Sequence, residues 1–125
     1  MMPLKNVLIV NGVSSGATGI GLVAFAQLAA NLFDVPQTSV FAGTGIFLLV
    51  FAAVVLFEAF RDSIRMRQVQ IIIALDVLWV IASVLVVLLM LSKISAIGNL
   101  LIIAVALWVA MMAFLQVKGL KQISI

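Results

Sequence analysis

Asp76 is the residue best equipped for chemistry in this sequence, and it stands where a charge is least expected. It lies inside the apolar string Ile73-Ala74-Leu75-Asp76-Val77-Leu78-Trp79-Val80-Ile81-Ala82-Ser83. A carboxylate in such surroundings could hold a cation, pass a proton or anchor the polar head of a ligand. Otherwise it must face a protected interior or meet a basic partner. The chain has only four acidic residues. Glu58 closes another apolar run and can pair with Arg61, three residues on, or stand at the mouth of a pocket. Glu58 and Asp76 together form the one carboxylate pair that acid–base catalysis could use. No nucleophile or phosphate cradle accompanies them. With no Cys and no His in the sequence, thiolate and imidazole metal sites are excluded, as are Ser-His-Asp and Cys-His arrangements. The expectation is therefore a non-enzymatic protein with no catalytic residue, metal or cofactor.

Composition defines the elements that must position these residues. Hydrophobic types are 66% of 125 residues and charged types 9%, against about half and a quarter in soluble domains. A membrane-crossing helix needs about 20 apolar residues. Apolar stretches at residues 7–33, 40–60, 69–91 and 96–117 predict an all-α, integral-membrane four-helix bundle. They form a single transmembrane domain over residues 1–125. The first stretch exceeds the core of a signal peptide, and Asn31-Leu32-Phe33-Asp34 follows it in place of a cleavage site, so it reads as an uncleaved span. Pro36, the basic segment 61–67 and the polar segment 92–95 separate the spans. Connections this short predict that consecutive helices are antiparallel neighbours.

Lys5, Arg61, Arg65, Arg67, Lys118 and Lys121 fall on one side of this arrangement, and Lys93 alone on the other. The positive-inside rule then predicts cytoplasmic N- and C-termini. The net charge of +3 reflects topology and does not make a nucleic-acid surface; membrane lipids are the expected partners.

Polar residues within the spans follow a pattern. Asn11, Ser14, Ser15 and Thr18 share one stripe of the first helix at about 100° per residue. Asp76, Trp79 and Ser83 make a stripe in the third. An offset of 65 residues carries Asn11 to Asp76, Ser14 to Trp79 and Thr18 to Ser83, and an offset of 58 carries Glu58 to Gln116. This suggests two parallel-repeat helical hairpins. Asn11, Glu58, Asp76 and Gln116 all belong to the half of the membrane nearer the termini. Two readings stay open for that cluster: hydrogen-bonding glue between helices, or an inner-leaflet polar pocket for a ligand or ion. Gly12 and Gly16 form a G-x-x-x-G pair; with Gly19, Gly21 and Gly43 they are expected to let helices approach closely, within the chain or across a homodimer seam.

The segment from Ile73 to Ser83, the endings Ala104-Val105-Ala106-Leu107-Trp108-Val109-Ala110 and Phe114-Leu115-Gln116-Val117-Lys118-Gly119-Leu120, and the early Asn11-Gly12 resemble a group of small, uncharacterised bacterial inner-membrane proteins with four predicted transmembrane helices. The resemblance covers nearly the whole chain and implies a location in the bacterial inner membrane, with no activity attached. From the residues, the first functional expectation is a bundle that binds a lipid, a small hydrophobic ligand or a partner. The alternative is a subunit of a small oligomeric proton- or cation-coupled transporter or channel.

Overall fold

A computed structural model of the chain describes residues 3–124, all helices and connections with no strand among them. The helices are α1 (Leu4–Ala24), α2 (Ala26–Phe33), α3 (Ser39–Ala59), α4 (Met66–Met90) and α5 (Ala96–Ser124). Four of them, α1, α3, α4 and α5, are long and apolar enough to cross a membrane. Their surface is inverted relative to a soluble protein. Leu88, Leu89, Leu100 and Leu107 face outward, whereas Asn11, Glu58, Asp76, Asn99 and Gln116 are buried. Lipid tails solvate the leucines, and the polar groups find one another inside.

The first stretch is two helices. Phe25 departs from helical dihedrals (φ −119°, ψ 36°), yet its N–H still bonds Gly21 O and its C=O still accepts from Ala29. The hydrogen-bond ladder continues through a kink just beyond the turn that carries Gly19 and Gly21. Helix α2 then ends on Asp34 in the left-handed region (φ 59°), where Val35 N–H reaches back to Ala30 O. Such a residue closes a helix by satisfying its last carbonyls, and Pro36 prevents resumption. The last helix is longer than the apolar stretch 96–117. It remains helical through Lys118, Gly119, Leu120 and Lys121, and Gly119 faces Leu4, whose Cβ lies 3.0 Å from where a Gly119 side chain would begin.

Packing runs in the order α3, α1, α5, α4. Helices α1 and α3 make the most extensive interface, α4 packs on α5, and α1 joins α5, whereas α3 and α4 barely touch. Consecutive helices are thus not all close neighbours, and the short connection 60–65 joins two helices that diverge. The α1–α3 interface depends on glycine. A Cβ on Gly19 would lie 2.8 Å from Gly45 O, and one on Gly45 would lie 2.7 Å from Gly19 O. Gly12 lies against Leu56 and Gly16 against Ala52, but Gly21 and Gly43 have nothing within 4 Å. The expectation that these last two pack helices within the chain is corrected, since they point away from α1–α3.

At the termini end, Leu4, Leu8, Val55, Ala59, Val69, Ile72 and Leu120 form a tight apolar core with Phe51. Glu58 lies beside it and clamps the α3–α4 connection. Arg65 donates its backbone N–H to Oε2 at 2.8 Å and its guanidinium to Oε1 at 2.8 and 3.2 Å, while Arg61 Nε is 3.8 Å away. Arg65, not Arg61, is the principal partner, because it immediately precedes α4 in extended backbone (φ −89°, ψ 119°) and presents both amide and side chain. Glu58→Gln should therefore loosen this connection. Amide exchange at Arg65 is expected to rise roughly tenfold, equivalent to about 1.4 kcal/mol, at the low end for charge-assisted bonds because water competes at the half-exposed Arg65 side chain. Unchanged exchange at Arg65 would remove the clamp from the account.

Candidate intramembrane binding site

Three buried side chains from three helices converge near mid-bundle. Asn11 (α1) donates through Nδ2 to Asp76 Oδ2 at 3.1 Å and to Gln116 Oε1 at 2.8 Å. Gln116 (α5) donates through Nε2 to Asp76 Oδ2 at 2.8 Å. The triad is closed: each residue bonds both others. It forms because α1 and α5 turn one amide each toward α4, whose single interior polar residue at that depth is an acceptor. Asp76 is about 15 Å along α4 from Met66, at ~1.5 Å rise per residue, roughly half the ~30 Å hydrocarbon thickness.

Both amide bonds fall on Oδ2. Asp76 Oδ1 carries neither, and it is not among the buried atoms without a hydrogen-bond partner; it opens onto a cavity. That cavity, about 330 Å³, begins at Asp76 and extends away from the termini. Ser14, Ser15 and Thr18 of α1, Phe47, Leu48 and Phe51 of α3, and Leu75 and Trp79 of α4 line it, with Ala104, Val105, Trp108 and Val109 of α5. All four spans contribute, and the volume is within the roughly 300–1,000 Å³ typical of small-molecule sites. Where α3 and α4 diverge, the wall is made by side chains: the Phe47 and Trp79 rings lie parallel within 5°, centroids 6.4 Å apart.

The hydroxyls of this wall are mostly committed. Ser14 Oγ donates to Val10 O at 2.8 Å and accepts Trp108 Nε1–H at 3.1 Å, which fixes that indole against α1. Thr18 donates to Ser14 O, as Ser83, outside the wall, does to Trp79 O; these back-bonds hide the hydroxyls within their own helices. Ser15 reaches Asn11 Oδ1 at 3.4 Å. Trp79 Nε1 is buried without a partner, so Trp79 offers the cavity its ring and not its donor.

Comparison with protein families, characterised proteins and solved structures finds no match.

The structure brings together most of the candidate residues. Asp76 forms the floor, held from behind by Asn11 and Gln116, which do not themselves line the cavity; Ser14, Ser15, Thr18 and Trp79 stand in the wall. Ser83 does not line the cavity. Glu58 is elsewhere: it is bound by Arg65 at the α3–α4 connection and does not line the cavity, so it does not guard the mouth. Nor does it pair with Asp76, because α3 and α4 diverge. The 65-residue offset does place two matching residues, Asn11 and Asp76, in direct contact, but Glu58 and Gln116 occupy unlike surroundings. Residues not singled out from sequence include Phe47, Phe51, Ala104 and Val105. Nothing distinguishes them from other apolar residues until the helices are phased against one another. Asn99, at the far end of the bundle, is also buried and donates to Leu91 O and Ile94 O.

Proposed function

We propose that this chain is a non-enzymatic membrane protein that binds a small hydrophobic ligand, or part of a lipid, in the cleft between α3 and α4. The observation that carries this reading is the cavity itself: apolar walls from four spans and one carboxylate oxygen at its floor. A purely adhesive role for the triad explains Oδ2 but leaves the aromatic cavity above Oδ1 without purpose. The separation of Lys5, Arg61, Arg65, Arg67, Lys118 and Lys121 from Lys93 supports cytoplasmic termini. The resemblance of the sequence supports a bacterial inner membrane. In this orientation the triad and the core beneath it close the site toward the cytoplasm, so a ligand enters from the bilayer or the outer side.

Ala104 offers a direct test, because it lines the cavity and is small. Native mass spectrometry of protein released from nanodiscs should find a discrete non-covalent small-molecule adduct on the wild type. Ala104→Trp, verified as helical by circular dichroism, should lose it. A bare wild type, or the same adduct on both proteins, would defeat the proposal. A transporter or channel subunit is the second reading, favoured by the position of an ionisable Asp76 on the cavity at mid-depth. It requires in addition that proteoliposomes show flux and that Asp76→Asn abolish it.

A further inference from the structure

We infer that the ligand of the α3–α4 cleft is a hydrophobic organic monocation, its charge held beside Asp76 Oδ1 and its apolar groups against Trp79, Trp108 and Phe47. This deepens the binding function proposed above and rests on it.

The argument begins with what Asp76 lacks. Its two partners, Asn11 and Gln116, are neutral amides, and both use Oδ2. The basic residues are engaged elsewhere or stand at span ends. Arg65 and Arg61 face Glu58, Lys5 lies over the Phe60 ring, and Lys118 lies over Phe114. Arg67 and Lys93 flank the two ends of α4. A carboxylate on a low-dielectric cavity is therefore left with one uncompensated oxygen. No protein donor bonds it: both Nδ2 hydrogens of Asn11 are used, the hydroxyls of Ser14 and Thr18 are tied to backbone carbonyls, and the buried Trp79 indole N–H reaches no acceptor.

The walls favour the same ligand. Indole and phenyl faces carry negative potential and attract cations, most strongly where water is excluded. Trp79, Phe47, Phe51 and Trp108 surround the space above Oδ1. A small hydrated ion gains little from such walls, since there are too few oxygens to replace its water shell. An organic cation with a bulky apolar exterior carries little hydration to lose, fills the cavity by dispersion and brings the charge that Asp76 lacks. An anion would meet the carboxylate, and a neutral molecule would forgo the charge interaction.

The test uses three compounds of nearly identical shape: tetraphenylphosphonium, neutral tetraphenylmethane and anionic tetraphenylborate. Full-length protein in zwitterionic nanodiscs is equilibrated with radiolabelled tetraphenylphosphonium, with empty nanodiscs as the partitioning control. Saturable binding is expected, competed by unlabelled cation and not by the neutral or anionic compound. Asp76→Asn preserves an acceptor for both amides and should weaken binding by roughly tenfold or more, the scale of a close desolvated charge contact. Ala104→Trp, with Asp76 intact, should abolish it. Competition by tetraphenylmethane equal to that by the cation overturns the monocation assignment while the hydrophobic-ligand function stands. So does unchanged affinity in Asp76→Asn. If no saturable binding occurs but the wild type retains its native adduct, the monocation assignment alone falls. If the adduct is missing too, both fall.

Discussion

Asn11→Leu is expected to destabilise the bundle by about 2–4 kcal/mol, more than the simultaneous replacement of all three triad residues by leucine. The single change removes the donor that serves both Asp76 Oδ2 and Gln116 Oε1. It leaves a buried carboxylate and a buried amide oxygen short of partners. An orphaned buried polar group costs about 1–3 kcal/mol, more when it is charged, and breaking a buried ionic arrangement by removing one member costs roughly 3–5 kcal/mol. The lower end applies here, because hydrogen bonds between membrane helices average nearer 0.6 kcal/mol and Oδ1 already opens to the cavity. Replacing Asn11, Asp76 and Gln116 together strands no buried charge or amide; it frees only the part-buried Ser15 hydroxyl from a long 3.4 Å bond, and a helical serine can turn back to a backbone carbonyl. Leucine roughly conserves volume at each site, so the triple variant is expected within about 1 kcal/mol of wild type. Equilibrium unfolding in mixed micelles or bicelles measures both. A triple variant less stable than Asn11→Leu would show that the triad contributes net stability and is not mainly a set of mutually dependent polar groups.

Gly19→Leu and Gly45→Leu are expected to exceed about 3 kcal/mol each, above the ~1–3 kcal/mol usual for overpacking. At both positions the obstacle to a new Cβ includes the opposing main-chain oxygen. Such an atom moves only if α1 and α3 separate, which sacrifices dispersion along the tightest interface in the bundle. Gly12 differs, since a Cβ there meets the side chain of Leu56, which can rotate away. Gly21→Leu and Gly43→Leu serve as controls. With nothing within 4 Å, both should fall within about 0.5 kcal/mol of wild type. The same unfolding measurement separates the pairs. Equal losses at Gly19 and Gly21 would contradict the α1–α3 interface as described.

Part of this was legible in the sequence. The apolar runs gave the four spans, and helical phase could have separated the glycines. Gly12, Gly16 and Gly19 recur at i, i+4 and i+7, while Gly21 lies about 180° round from Gly12 at 100° per residue. Depth placed Asn11, Asp76 and Gln116 together but could not exclude Glu58. Which of Glu58 and Gln116 turns inward depends on how α3 and α5 rotate about their axes, and on Arg65, a closer competitor for Glu58. The cleft was illegible for a related reason. A short connection constrains the joined ends of α3 and α4, not their course through the membrane. Their divergence follows from the glycine-mediated grip of α1 on α3 and the separate packing of α4 on α5.

The closed triad also bears on how the protein is made. Its Asn11–Gln116 bond joins residues 105 positions apart, and α1 meets α4 through side chains such as the Asn11–Asp76 bond, while its backbone packs on α5. A ribosome therefore delivers Asp76 to the membrane well before Gln116 exists. During that interval the α1–α3 hairpin can already close on its glycines, while α4 waits without its amide from α5 or a helix to dock on. The final helix is what turns two separately inserted pieces into one molecule. Truncation within α5 thus leaves the carboxylate with Asn11 as its remaining amide partner and α4 without a helix to dock on, a state that membrane quality-control proteases can recognise before any function is lost or gained.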